Sequence, residues 1–275
     1  MALPGWLQAL TARRAPFAAA LPEALWQETL RDYPFLQDRG TADLLRLREL
    51  SGAFIARKEF HGAAGLAITD RMAIAIAAQA CLPILNLGPA PAVLNWYADF
   101  VGVVVYPGEM RAWREETDEA GVVHQYHEIL SGEAMQDGPV ALSWRDVAAS
   151  GASAKQGYNV VIHEFVHKLD MRDGAADGCP PLWPGFMGRR SAAAARALWL
   201  ETLQAQYQQF REQVIIAERF GGVQPWLDPY GAESPDEFFA VASEAYFVNR
   251  ERFGLEFAAL LPLFDGFFNA ASPAA

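Results

Sequence analysis

Apolar residues recur at three- and four-residue intervals from Glu23 to Leu30 and again from Asp43 to Glu59, the second run placing Leu44, Leu47, Leu50, Phe54 and Ile55 on one face. That spacing predicts two amphipathic helices. Thr69-Asp70 supplies the start signal of a third, which runs into the Ala-rich stretch Met72 to Leu87. Gln79 and Pro83 interrupt that stretch, so it reads as a buried helix and is too short to span a bilayer. The pattern then changes. Phe100 to Tyr106 is β-branched and stops at Pro107-Gly108, Val122 to Leu130 alternates, and Val140 to Trp144 is a short apolar run. These predict three strands. Gly138 and Pro139 suit a strand at a sheet edge, although an internal position fits the third run equally.

Helical periodicity returns at Val160 to Asp170, where Val160, Val161, Ile162, Phe165, Val166 and Leu169 are apolar, and again from Ser191 to Arg219. Ser234-Pro235 opens a further helix, and Phe253 to Phe268 is apolar enough for a last helix that packs on the core or partly shields a cleft. The tail Asn269 to Ala275 reads as loose. The expectation is an α+β fold, mainly helical, with a small mixed or antiparallel sheet beside the 160–170 helix. An amino-terminal helical part, residues 1–90, would pack on a core of residues 91–275, the division falling near Gly88 to Pro91.

Composition narrows the partners. A 275-residue chain with 52 % hydrophobic residues can bury a substantial core. Its formal net charge of -11 argues against direct nucleic-acid binding and against anionic membranes, since both repel an acidic surface. Cys81 and Cys179 are the only cysteines and form no CxxC pair, so a reducing cytoplasm is the simpler reading, with a single disulfide left open. At the amino terminus, Arg13-Arg14 follows the apolar residues and Pro4 interrupts them, the reverse of a secretion signal.

The candidate chemistry lies in Val160 to Asp170. His163 and His167 are four residues apart, so on a helix their imidazoles stand one turn above each other and can converge on one ion. Glu164, between them in sequence, is placed to reach a water in the open coordination position and act as its general base. With five histidines in the chain, a chance His-Glu-x-x-His has a probability on the order of 1 %. Two hydrogen-bonded core histidines are the alternative. Zinc suits two neutral imidazoles and a carboxylate, and a third protein ligand is then required. Asp228 to Phe247 offers Glu237 and Glu244, seven residues apart on the same side of the helix that starts at Ser234. One carboxylate could bind the metal while the other accepts an imidazole N–H. Glu237 also sits where a capping-box glutamate would.

HEFVHKLD followed by DPYGAESPDEFFAVASEAYF resembles the Mlc titration factor A family of bacterial zinc peptidases, whose catalytic core is similar to that of anthrax lethal factor. Gly138 to Trp144 is similar to the segment that precedes the zinc helix in that family. The resemblance implies a zincin-like core holding one zinc ion per chain, with Glu237 as the third ligand beside His163 and His167. It implies that Tyr230 donates a hydrogen bond to the oxyanion, a role chemically suited to a phenol. It further implies peptide substrates with weak aminopeptidase activity and, as an alternative function, sequestration of a transcriptional repressor of sugar-uptake (phosphotransferase system) genes.

Three features remain outside that pattern. His61, His124 and His127 read as structural, the last two being three apart on one strand and so on opposite faces. The Gly/Pro-rich loop from Asp173 to Gly188 is long enough to wall or lid a cleft. Asp170 and Asp173 suggest a calcium loop but lack the rest of that motif, so carboxylate support or capping is the better reading.

Overall fold

A computed structural model describes residues 21–117, 123–174 and 176–269. The amino-terminal segment and the tail beyond Asn269, read above from sequence, lie outside the described residues, as does Val122. The elements begin with α1 (Glu23–Asp32), α2 (Thr41–Arg57), β1 (Glu59–Gly62) and α3 (Asp70–Ala80). The strands β2 (Gly102–Tyr106), β3 (Met110–Thr117), β4 (Val123–Leu130), β5 (Gly132–Ala134) and β6 (Val140–Ser143) follow. Helices α4 (Trp144–Ser153), α5 (Val160–Asp170), α6 (Ala192–Phe220), α7 (Pro235–Val248), α8 (Arg250–Glu256) and α9 (Leu261–Phe268) complete the chain, with short 3-10 turns between them. This is the mainly helical α+β arrangement expected.

The sheet is mixed. Its order is β1-β2-β6-β5, with β1, β2 and β6 parallel and β5 antiparallel to β6, while β3 and β4 pair with each other as a separate hairpin. The 140–143 strand is therefore internal, and its four residues are all buried. β1 forms one edge and Gly132–Ala134 the other, the latter having no β-branched residue and no strand signal in sequence.

Boundaries moved for local reasons. The second helix ends at Arg57, because Lys58 turns its ammonium over the Phe100 ring, 3.6 Å from the centroid, and donates to the carbonyl oxygens of Tyr97 and Phe100. Glu59 then starts a strand. The Ala-rich helix stops at Ala80, ahead of Pro83, whose ring would clash with the preceding turn. The last apolar run splits into α8 and α9 because Pro262, lacking an N–H, is accommodated in the first turn of a new helix.

Helices α3, α4 and α7 and strands β5 and β6 pack directly on α5, every residue of which is buried. On one side the Phe165 ring meets Phe54, Tyr97 and Phe100 at centroid distances of 5.6, 5.0 and 5.8 Å. On the other side α7 packs against it, backed by an aromatic cluster in which Trp199 of α6 stacks on Phe264 at 5.7 Å and meets Phe239 at 5.6 Å. The end of α5 is tied down by Gly178, whose N–H donates to Asp170 Oδ2 at 2.8 Å and whose carbonyl accepts from Trp199 Nε1 at 2.7 Å. Gly178 has φ +80°, and a Cβ there would meet the Pro235 carbonyl oxygen at 2.7 Å, so glycine alone lets this loop touch α5, α6 and α7 at once. Cys81 and Cys179 are free, buried thiols. Among the described residues, no helix is long and apolar enough to cross a membrane.

Because Phe165 joins the amino-terminal helices to α5, Phe165→Ala should lower unfolding free energy by about 3–5 kcal/mol, the usual cost of emptying an aromatic core site. Urea denaturation followed by tryptophan fluorescence measures it; a loss below about 1 kcal/mol would contradict the packing described.

Candidate metal centre and active-site cleft

Helix α5 starts where Asn159 caps it, its Oδ1 accepting from Ile162 N–H at 2.9 Å. One and two turns later come His163 and His167, with their Nε2 atoms 3.1 Å apart. Helix α7 starts at Ser234, whose hydroxyl accepts from Glu237 N–H at 3.4 Å, with Pro235 in the first turn. That cap aims the Glu237 side chain across the gap between helices. Its Oε2 lies 3.0 Å from His163 Nε2 and 3.3 Å from His167 Nε2. The side chain is thus drawn to the imidazoles rather than spent as a capping-box partner.

The three donor atoms form a triangle with edges of 3.0, 3.1 and 3.3 Å. A tetrahedral ion with ligand bonds of about 2.0–2.1 Å requires donors about 3.3–3.4 Å apart, so zinc fits this set with little adjustment. The set is also chemically right: two imidazoles, one carboxylate and one face left towards the cleft. Glu244 Oε1 lies 2.8 Å from His163 Nδ1, so this carboxylate can accept the Nδ1 proton's hydrogen bond and leave Nε2 directed at the triangle, where it would supply its lone pair to a metal.

Electrostatics show that the triangle favours positive charge. Burial alone would make His163 harder to protonate, but hydrogen bonds to Glu237 and Glu244 outweigh it and raise its proton affinity well above that of an ordinary imidazole. Burial would likewise raise Glu237, yet His163 and His167 hold it well below the usual carboxylate range. A proton or a metal ion can supply that charge. Glu164 is different: it stands outside the triangle, and burial pushes its pKa up to about 7 despite the pull of His163 and His167.

Tyr230 lies on the 3-10 turn Pro229–Ala232, where Asp228 accepts its backbone N–H at 3.0 Å. The phenol donates to Glu237 Oε1 at 3.3 Å, and its ring centroid is 6.0 Å from that of His163. His163, Glu164, His167, Tyr230 and Glu237 share the wall of a cleft of about 510 Å³. The structure therefore brings together all five residues singled out by sequence. It also answers how Glu237 and Glu244 divide: Glu237 faces the triangle, while the buried Glu244 sits behind His163.

Sequence reasoning missed β5 and Tyr158, which form part of the opposite wall. Three residues without a hydrophobic alternation leave no period to detect. The Gly/Pro loop does wall the cleft, through Ala176, and Met171 of the turn before it joins the lining. The loop's Asp173 and Asp177 pair with the Arg196 side chain, while Asp170, at the end of α5, accepts from the backbone N–H of Gly178. His61 lies 3.3 Å from Glu59 on the exposed face of β1, and His124 and His127 fall on β4, in backbone register with Glu116 and Trp113 of β3.

The family model of the glucose-regulated metallo-peptidase M90 matches residues 7–269. The chain belongs to the M90 metallopeptidase family. It is similar to the Mlc titration factor A of Salmonella arizonae, at 32 % identity over 246 residues covering 89 % of this chain and 90 % of the relative. The corresponding protein of Escherichia fergusonii is 32 % identical over 243 residues, covering 88 % and 84 % of the two chains. That of Escherichia coli is 33 % identical over 251 residues, covering 90 % and 86 %. Membership of M90 implies a metal, and the triangle of His163, His167 and Glu237 is where this M90 chain could hold one.

If Glu244 orients His163 for that metal, Glu244→Gln should weaken zinc affinity by about 10–100-fold, the usual cost of losing a partner behind a ligating imidazole. Competition with a chromophoric chelator reads it directly, and an unchanged affinity would remove Glu244 from the account.

Proposed function

We propose that this M90 chain is a zinc-dependent peptidase that removes residues from the amino ends of peptides in the cytoplasm, with one zinc ion per chain held by His163, His167 and Glu237. The observation that carries this reading is the donor triangle with a separate carboxylate, Glu164, buried beside it in the same cleft. Zinc held there would supply a Lewis acid for the scissile carbonyl and acidify the attacking water.

The remaining work falls to the chain's own groups. Glu164, which burial makes more basic than an ordinary carboxylate, takes the water's proton and returns it to the leaving amine. Tyr230 reaches the centre from the 3-10 turn that precedes α7, and its phenol can exchange Glu237 for the oxyanion as charge develops there. Strand β5 ends the sheet at the cleft, so its backbone can align an extended peptide by adding it as a further strand. The described lining contains Glu133, Asp228 and Asp236 and no lysine or arginine, which suits a protonated amino terminus.

The names of the relatives favour a second reading, binding of an Mlc-type transcriptional repressor. A titration surface can lie away from the metal, whereas hydrolysis needs the cleft. The two readings separate in one variant. Glu164→Gln should keep one zinc per chain by elemental analysis while kcat on amino-acid p-nitroanilides falls about 10²–10⁴-fold. Amino-terminally blocked peptides should be poor substrates. Capture of purified Escherichia coli Mlc by the same variant would establish the binding reading alongside the enzyme. Full turnover by Glu164→Gln would sink the proposed mechanism. Tyr230→Phe should lower kcat by about 10²–10³-fold with little change in KM, since its bond to the substrate forms only as the reaction proceeds.

A further inference from the structure

Helix α5 presents two polar faces. His163 and His167 turn towards Glu237, while Glu164 and Lys168, again one turn apart, turn towards β5 and the hairpin it forms with β6. At the start of that strand stands Gly132. A Cβ built on it would fall 2.6 Å from Glu164 Cγ and 2.7 Å from Cδ, with Oε1 closer still, where non-bonded carbons need about 3.5–4.0 Å. The backbone gives no reason for glycine here, because Gly132 is in extended strand conformation, paired with Leu142, and is not among the positive-φ glycines. The space taken by Glu164 is the reason.

Lys168 keeps that space closed. Although completely buried, it donates to the carbonyl oxygens of Met135 at 2.5 Å and Gly138 at 3.0 Å, both in the turn between β5 and β6, and pairs with Asp99 at 2.8 Å. Ser143 N–H donates to Ser131 O at 2.7 Å, fixing the other end of the hairpin. The strand cannot lift from the helix without breaking these bonds.

We propose that Gly132 is a positioning residue: its missing side chain forms the seat of the Glu164 carboxylate, and Lys168 holds β5 down so that the base is confined between strand and metal centre. The inference rests on the reading of Glu164 as general base. It has a consequence for substrate, because a peptide added to β5 is then registered against the same backbone that aims the base. A side chain at position 132 meets a flexible glutamate rather than a rigid backbone, so the fold should accept it while the base moves.

The test is Gly132→Ala in the full-length, zinc-loaded chain. We expect kcat to fall about 10-fold or more with KM within about threefold, zinc stoichiometry retained and Tm within about 2 °C. A crystal structure of the variant should show Glu164 turned out of its seat. In a Glu164→Gln background the same substitution should cost nothing further, since the group it displaces is already inactive. Unchanged kcat, an unmoved Glu164, an equal penalty in the Glu164→Gln background, or loss of folding would each overturn the proposal. Should the native chain hydrolyse no peptide at all, the functional reading fails separately, and the position of Glu164 in the two crystal structures still decides the seat.

Discussion

The Glu244 carboxylate, buried in α7, is the constraint around which the centre is assembled. One oxygen accepts a hydrogen bond from Nδ1–H of His163, and the other accepts one from the backbone N–H of Asn159 at the start of α5. A lone buried carboxylate would cost several kcal/mol. Here burial raises its pKa, while His163 and the Asn159 N–H oppose that shift, and the helix amino terminus adds a favourable field. Asn159 continues the chain of bonds, its Nδ2 donating to Gln79 Oε1 of α3 at 2.7 Å. A single imidazole orientation is thereby tied to three helices.

Apolar packing supplies what this network needs. Phe165 and its aromatic neighbours hold one side of α5, and the cluster around Trp199 and Phe239 holds α7 against the other. Because α5 and α7 are both locked, the distance between His167 and Glu237 is set by close-packed side chains rather than by a loop, and interiors of this density do not deform continuously. Apart from Asp170, which the loop holds through Gly178, the polar groups of α5 named above lie on the faces that meet α7 and the β5 hairpin. An M90 chain with this arrangement carries the donor triangle and Glu164 on packed helices, and leaves the loop after α5 and the turn bearing Tyr230 to border the cleft.

Much of this was legible in the residues. Periods of three and four marked the long helices, Ser234-Pro235 marked where α7 begins, and the four-residue spacing of His163 and His167 predicted convergence on one face. The seven-residue spacing of Glu237 and Glu244 placed both carboxylates together and no more. Geometry within one helix is a local property, determined by 3.6 residues per turn, and so it survives without the rest of the protein.

Tertiary structure decided everything that depends on which element lies beside which. It chose between Glu237 and Glu244, since only the crossing of α7 over α5 determines which carboxylate meets the Nε2 atoms and which the Nδ1 atom. It put β5 at the sheet edge and the 140–143 strand inside, a matter of long-range pairing that alternation in a three-residue strand cannot encode. It gave Gly132 its meaning, because the atom that excludes a side chain there belongs to a residue 32 positions away. The sequence by itself determined the candidate site residues and their helical faces, for those follow from backbone periodicity; only packing between distant segments decided their distances, their burial and the space in which the Glu164 carboxylate lies.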